Sequence, residues 1–226
     1  GSEMCIRDSR DAGGLWDKYP VEQVATPEGY ARNPEQVINF YNERRKQLLD
    51  VVPNAGHLGV ADLERDFNVT VVTQNVDNLH ERAGSTHVIH LHGELTKVCS
   101  SRDPYNPHFV KELAPEEYEV KLGDKAGDGT QLRPFIVWFG ESVPEIETAI
   151  RYVEQADIFV IIGTSLNVYP AAGLLNYVPR AAEVYLIDPK PVDTHVMRPI
   201  HVIQKGASEG VKELKALLTV TQPPLP

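Results

Sequence analysis

Cysteine is scarce: Cys5 and Cys99 are the only two among 226 residues. Two thiols can build neither a disulfide framework nor a four-cysteine zinc ribbon, and a cytoplasmic, reducing compartment fits that usage. Long apolar runs are missing too. The longest candidate, residues 158–162 (IFVII), falls far short of the ~20 residues of a membrane span, and the N-terminus carries no apolar signal-peptide core. A soluble, unsecreted chain is expected. Positive charge is in deficit, with 22 Lys and Arg against 32 Asp and Glu for a net −10. That balance argues against nucleic acid or an anionic membrane as the main partner and favours basic, lysine-bearing protein segments. Residues 1–9 (GSEMCIRDS) lack periodicity and read as a non-native leader.

What remains is ordinary globular material, 42% hydrophobic and 24% charged, long enough for one α/β domain with a subsidiary lobe. Residues 69–73 (VTVVT) are β-branched throughout and read as a strand buried on both faces of a parallel sheet. Gln74, Asn75, Asp77 and Asn78 follow at its carboxyl end, where open α/β sheets bind ligands and where amides and a carboxylate suit a sugar or phosphoester. An Asx-rich turn is the plainer alternative. Residues 86–94 add His87, His90 and His92. In extended backbone His90 and His92 share a face, as half of a metal site or as one general base beside a packed partner. Zinc takes at least three protein ligands and no neighbouring cysteine or acidic pair completes such a set, so a base at His92 is the preferred reading. Gly93 lets backbone or ligand approach closely.

Residues 34–49 carry a helical pattern, with Asn33 as cap and Pro34 at the first helical position. Val37, Tyr41, Arg44 and Leu48 fall on one stripe, and an inward-facing Arg44 needs an anionic partner. Residues 53–67 start another helix, with His57 packed or capping. A short helix is expected near residues 107–113, and an amphipathic one over 145–155. Residues 157–162 and 183–187 read as buried strands, the first ending in Gly163-Thr164-Ser165, a plausible phosphate or ribose turn, and the second in Asp188. A C-terminal helix over 208–218 is expected with Ser208 as its cap.

The run TQNVDNLHERAG, followed by HLHGEL, resembles the sirtuins, NAD-dependent protein-lysine deacylases, and most closely their bacterial desuccinylase/deacetylase type. Further matches downstream extend the resemblance from about Arg10 to Ala207. It implies an α/β, Rossmann-like parallel sheet with helices on both faces plus a small lobe. Residues 10–95 and 134–226 would form the NAD-binding domain, residues 30–67 would lend helices to the small lobe, and residues 96–133 would be its insertion. The implied chemistry is acyl-lysine plus NAD giving lysine, nicotinamide and O-acyl-ADP-ribose. His92, Asn75 and Asp77 match the catalytic positions. Arg10, Gln74, Asn75, Asp77, Gly163, Thr164, Ser165, Asp188 and Ala207 match NAD contacts. Tyr41 and Arg44 match a Tyr-x-x-Arg pair that holds an acidic acyl group. The segments Val137, Trp138, Phe139, Gly140, Glu141 and Leu166, Asn167, Val168 match the two sides of a clamp that takes the substrate as an added strand.

The chain departs from the family's pattern in three places. No Gly-Ala-Gly-x-Ser cofactor turn precedes Arg10, and Ser9 stands where an aromatic is usual. Asp188 replaces an asparagine. The insertion holds Cys99 in place of two Cys-x-x-Cys pairs, so no zinc is expected and the lobe must be stabilised by packing. The expected partners are succinyl-, malonyl- and acetyl-lysine proteins, with neither nucleic acid nor membrane. Two rivals stand beside this reading: a metal-dependent amide hydrolase built on His90 and His92, and a non-catalytic acyl-lysine or ADP-ribose binding module.

Overall fold

The computed structural model describes residues 19–163, 171–191 and 198–221. Three helices open it: α1 (Val21–Val24), α2 (Pro27–Arg32) and α3 (Pro34–Leu49). Each of the last two is capped as its local sequence dictates, for Thr26 accepts from Gly29 N and Asn33 from Gln36 N. Asn54 and His57 form a reciprocal capping box at the start of α4 (Ala55–Asp62), the capping role expected of His57.

Strand β1 (Val71–Thr73) is shorter than the β-branched run, and a short helix α5 (Leu79–Ala83) leads from it to β2 (Val88–His90). The two strands pair in parallel, Val71 opposite Val88. Strand β3 (Gly93–Ser100) then runs antiparallel to both β4 (Lys111–Glu112) and β5 (Leu132–Ile136). Gly93 meets the expectation of close approach. Its φ is +81°, and a Cβ there would lie 2.1 Å from the Phe135 carbonyl oxygen. The chain finishes with α6 (Ile146–Val153), β6 (Ile158–Ile162), α7 (Ala171–Leu174), β7 (Glu183–Ile187), β8 (His201–Ile203) and α8 (Ala207–Thr221). Strands β6, β7 and β8 pair in parallel, in that order. Helix α8 begins one residue before the expected Ser208 cap.

The two parallel pieces share both covering layers, which makes them parts of one α/β sandwich. Val71, Ile158, Val160 and Ile162 pack against Val60 of α4 and against Val211 and Leu214 of α8. On the opposite face Val72, Ile89, Phe159 and Ile161 meet Ala149 and Val153 of α6 and Leu174 of α7. This is the expected Rossmann-like arrangement with helices on both faces. Among the described residues no ladder joins β1 to β6. Helix α4, expected with the small lobe, instead belongs to this sandwich because its apolar side faces α8. No helix among the described residues is long and apolar enough to cross a membrane.

The small lobe packs α1–α3 on β3 and β5. Val24, Val37, Phe40, Tyr41 and Leu48 enclose Leu95, Ile136 and Trp138, each buried aliphatic side chain contributing about 1.5–3 kcal/mol. The helix expected near 107–113 reduces to a 3-10 turn at Pro107–Phe109, since the next residues pair with β3, Lys97 opposite Glu112. Packing alone does not hold the insertion. Ser100 Oγ accepts from the N–H groups of Arg102 and Asp103, both at 3.0 Å, and donates to Asp128 at 2.7 Å. The Asn42 amide pairs with both backbone groups of Val120.

Candidate active site

At the carboxyl end of β1 the chain turns sharply, because the Thr73 hydroxyl accepts from Asn75 N at 3.0 Å. Asp77, 6% exposed, accepts from Leu79 N at 3.2 Å in a tight turn just ahead of α5. Burial raises the pKa of its carboxyl group, opposed by the Leu79 hydrogen bond and the neighbouring His57 and His90.

The two histidines do not share a strand face, since β2 ends at His90 and His92 stands in the turn before β3. Their ring hydrogen bonds separate them chemically. His92 Nδ1 lies 3.2 Å from the Gln74 carbonyl oxygen. A carbonyl only accepts, so Nδ1 carries the proton that faces it, and in the neutral form of the ring Nε2 is the basic nitrogen. His90 Nδ1 lies 3.0 Å from the Asn75 carbonyl oxygen, and its Nε2 is 2.7 Å from Glu81 Oε1. Both partners are acceptors. That arrangement favours the doubly protonated ring: burial lowers the His90 pKa, but the bonds to Glu81 and Asn75 outweigh it and raise the pKa overall. Among the described residues, one group of possible metal ligands gathers within 4.8 Å, Glu81, His90 and Glu94. His92 is not in it, and Lys97 Nζ already occupies Glu94 at 2.7 Å.

Directly beside His92 stands the segment that follows β5. Val137 N donates to the His92 carbonyl at 3.0 Å, and Phe139 N to the Ala25 carbonyl at 3.0 Å. Side chains alternate along it: Trp138 is 2% exposed and Phe139 58%. Trp138 lies under the Arg133 guanidinium, 3.5 Å from the ring centroid. Arg133 in turn forms a two-pronged pair with Glu141 at 2.8 and 3.0 Å, and Glu141 Oε2 also accepts from Trp138 N. The carboxylate of Glu141 is thus engaged in shaping this segment, and Trp138 is a core aromatic.

On α3, Tyr41 is buried and its hydroxyl accepts from Trp138 Nε1. Arg44 is half-buried, its guanidinium 5.9 Å from the Phe40 ring centroid. Its Nε is buried with no hydrogen-bond partner among the described residues, so no internal salt bridge satisfies it there. Gly163, at the end of β6, takes φ +62° and donates to the Ile187 carbonyl at 2.9 Å. Asp188, at the end of β7, accepts from Lys190 N at 2.8 Å. Ala207 touches the start of α4, where a Cβ on Gly56 would come within 3.3 Å of the Ala207 Cβ. Gly140 takes φ +90° on the exposed side of the clamp segment. Arg10, Thr164, Ser165, Leu166, Asn167 and Val168 lie outside the described residues.

Sequence reasoning passed over Arg45, the arginine of α3 that is buried, at 3% exposure. A signal was present. Ile38, Asn42 and Arg45 repeat at steps of four and three, a second inward stripe one residue on from Val37, Tyr41 and Arg44.

Cys99 is the insertion's single cysteine and is buried. Burial pushes its thiol up to about 12, and its Sγ donates to the Pro134 carbonyl at 3.7 Å.

The Sir2 family pattern matches residues 1–170. An NAD-dependent protein deacylase of Bacteroides thetaiotaomicron is 82% identical over 217 residues, covering 96% of this chain and 93% of that protein. A Helicobacter pylori protein of the same description is 46% identical over 213 residues, covering 94% and 90%. The crystal structure of a Sir2 homologue–NAD complex superposes with a TM-score of 0.79 at 35% identity, over 95% of this chain and 84% of that one. A Sir2 variant with a deacetylated p53 peptide and 3′-O-acetyl ADP ribose superposes at 0.74 and 26% identity, over 94% and 87%. With the parallel sandwich and this extent of likeness, the chain belongs to the Sir2 family.

Proposed function

We propose that the chain is an NAD-dependent protein deacylase that removes succinyl, malonyl and acetyl groups from lysine, releasing nicotinamide and O-acyl-ADP-ribose. The observation that carries this reading is the pair of hydrogen bonds on His92: Nδ1 to the Gln74 carbonyl, and its own carbonyl to Val137 N. One prepares a base, and the other ties that base to the segment that would receive the peptide. The activity described for the Bacteroides and Helicobacter relatives supports the same reading.

The donor set at the strand ends fits NAD. Gln74, Asn75 and Asp77 offer amides and a carboxylate to ribose hydroxyls, Asp188 offers a second carboxylate, and Asn78 Oδ1 is a buried acceptor without a partner among the described residues. Gly163 in a left-handed turn bares backbone at the end of β6. When bound, NAD supplies a ribose carbon that exchanges nicotinamide for the acyl oxygen. The chain's part is to orient the ribose through Asn75 and Asp77, and to hold a proton acceptor at His92 Nε2, since imidazole exchanges protons near neutral pH. An extended peptide beside residues 137–139 would be gripped by main-chain hydrogen bonds, which tolerate many sequences. Tyr41 and Arg44 would meet an acidic acyl group. The lobe is proposed to work without zinc, because the insertion carries a single thiol, Cys99, where a zinc ribbon needs four ligands.

The test is nicotinamide release from succinyl- and acetyl-lysine peptides, with and without NAD, for the chain as it is and with a family-type cofactor turn placed ahead of Arg10. His92→Ala is expected to abolish release and leave the thermal melt unchanged. Undiminished release by His92→Ala removes the assigned base. Turnover without NAD that a chelator stops would instead establish the metal-hydrolase rival.

A further inference from the structure

The proposed acyl-binding pair stands on α3, and the structure shows what keeps that helix from turning. Arg45 sends Nε to the Tyr118 carbonyl at 2.7 Å, Nη1 to the Leu95 carbonyl at 3.4 Å and Nη2 to Asn42 Oδ1 at 2.6 Å. The same Asn42 amide binds both backbone groups of Val120, at 2.8 and 2.9 Å. Leu95 lies on β3, three residues beyond His92, and its own N–H donates to the Val76 carbonyl at 2.7 Å, between Asn75 and Asp77. One buried fork thus joins the acyl helix, the strand that leaves the base and the insertion.

This is an expensive way to fasten a helix. Every acceptor that the described residues give Arg45 is neutral, and a buried cation without a counter-ion is among the costlier arrangements in a protein. Apolar packing from Ile38, Val98 and Val120 already covers the same side. What packing does not set is rotation. Successive helical residues turn by about 100°, so a fork and an amide gripping the Asn42/Arg45 stripe dictate where the adjoining Tyr41/Arg44 stripe points. A slip of a few tens of degrees would leave the helix packed and swing the Arg44 guanidinium away from its target.

We propose that Arg45, with Asn42, is a positioning residue for acyl selectivity: its hydrogen-bonded fork sets the rotation of α3 and thereby the aim of Tyr41 and Arg44 at an acidic acyl group. The inference rests on the deacylase reading above. An acetyl group has no carboxylate to be aimed at, so the effect belongs to succinyl and malonyl substrates.

The experiment compares Arg45→Lys and Arg45→Gln with the parent, using KM and kcat for succinyl- and acetyl-lysine versions of one peptide. Calorimetric binding of both peptides provides a readout that needs no turnover. Lysine keeps the charge and loses the fork; glutamine keeps one hydrogen-bonding group and loses the charge. Both variants are expected to raise the succinyl KM and Kd at least fivefold, with the acetyl values and kcat within twofold and cooperative melts retained. Equal losses on the two peptides would reduce Arg45 to a structural residue and overturn the proposal, as would unchanged succinyl binding in both variants. A parent that binds succinyl peptide and releases no nicotinamide would sink the deacylase reading alone, and the calorimetric comparison would still decide the role of Arg45.

Discussion

The indole Nε1 of Trp138 donates to the Tyr41 hydroxyl at 3.1 Å, joining the core of the clamp segment to the helix that carries Arg44. A hydroxyl that accepts from the indole keeps its own hydrogen to donate. Burial raises the Tyr41 pKa, so that hydrogen stays in place at neutral pH. Tyr41→Phe removes both the donor and the indole's acceptor. The expected result is a succinyl KM raised about tenfold, little change for acetyl peptide, and a loss of about 1–3 kcal/mol in urea unfolding from the orphaned indole N–H. An unchanged succinyl KM would take Tyr41 out of acyl recognition.

Gly93 is where the β3 and β5 backbones meet most closely. A methyl group would sit 2.1 Å from the Phe135 carbonyl oxygen, on a residue whose φ is +81°. Gly93→Ala combines backbone strain with a clash against main chain that cannot swing aside, and should cost about 3 kcal/mol or more. The measurement is a chemical melt; a loss below about 1 kcal/mol would mean that β3 shifts freely and is no rigid mount for His92.

The His57 and His80 rings pack edge to face, 4.8 Å between centroids, with His57 Nε2 and His80 Nδ1 both buried and unpartnered among the described residues. Burial lowers both pKa values, and that of His80 falls to about 4 through burial and the neighbouring His57. The unfolded chain therefore takes up more protons below the ordinary histidine value of ~6.5, and stability falls as pH drops from there towards about 4. His90 acts in the opposite sense. Its raised pKa makes its pair with Glu81 strongest below ~6.5, with that contribution lost as pH rises through the folded value. His80→Leu should flatten the acid limb of a Tm-against-pH curve. An equally steep limb in the variant would assign the acid sensitivity elsewhere.

The insertion is tied by hydrogen bonds among Ser100, Asp128 and Thr130, and it is proposed to hold without zinc. Hydrogen bonds from Ser100 and Thr130 hold the Asp128 carboxyl down at about 2. Dialysis against a strong chelator is expected to leave Tm and nicotinamide release unchanged. Loss of either, restored by zinc and by no other divalent ion, would refute the zinc-free lobe.

Elements whose stabilising contacts are local were legible in the chain. The Asn33 cap and Pro34 placed the start of α3, and its end at Leu49 was also as expected. The β-branched and aliphatic runs located β6 and β7, with β7 at its expected residues 183–187. The helix expected near 107–113 yielded to β4 because its competitor, the open edge of β3, comes from another part of the chain. Likewise α4 was placed with the wrong layer, since its partner α8 lies about 150 residues further on.

At the site, the sequence by itself named the candidates: the amides and carboxylate that end β1, two histidines two positions apart, a Tyr-x-x-Arg on an amphipathic helix. Residue type and spacing carry that much. What each histidine ring faces, and which arginine is buried, only the tertiary structure decided. Imidazole chemistry is set by what each ring nitrogen faces, and the carbonyls of Gln74 and Asn75 beyond β1 and the carboxylate of Glu81 on α5 reach His92 and His90 only in the folded chain. The burial of Arg45 likewise depends on residues 118–120, more than 70 positions away, folding back over α3.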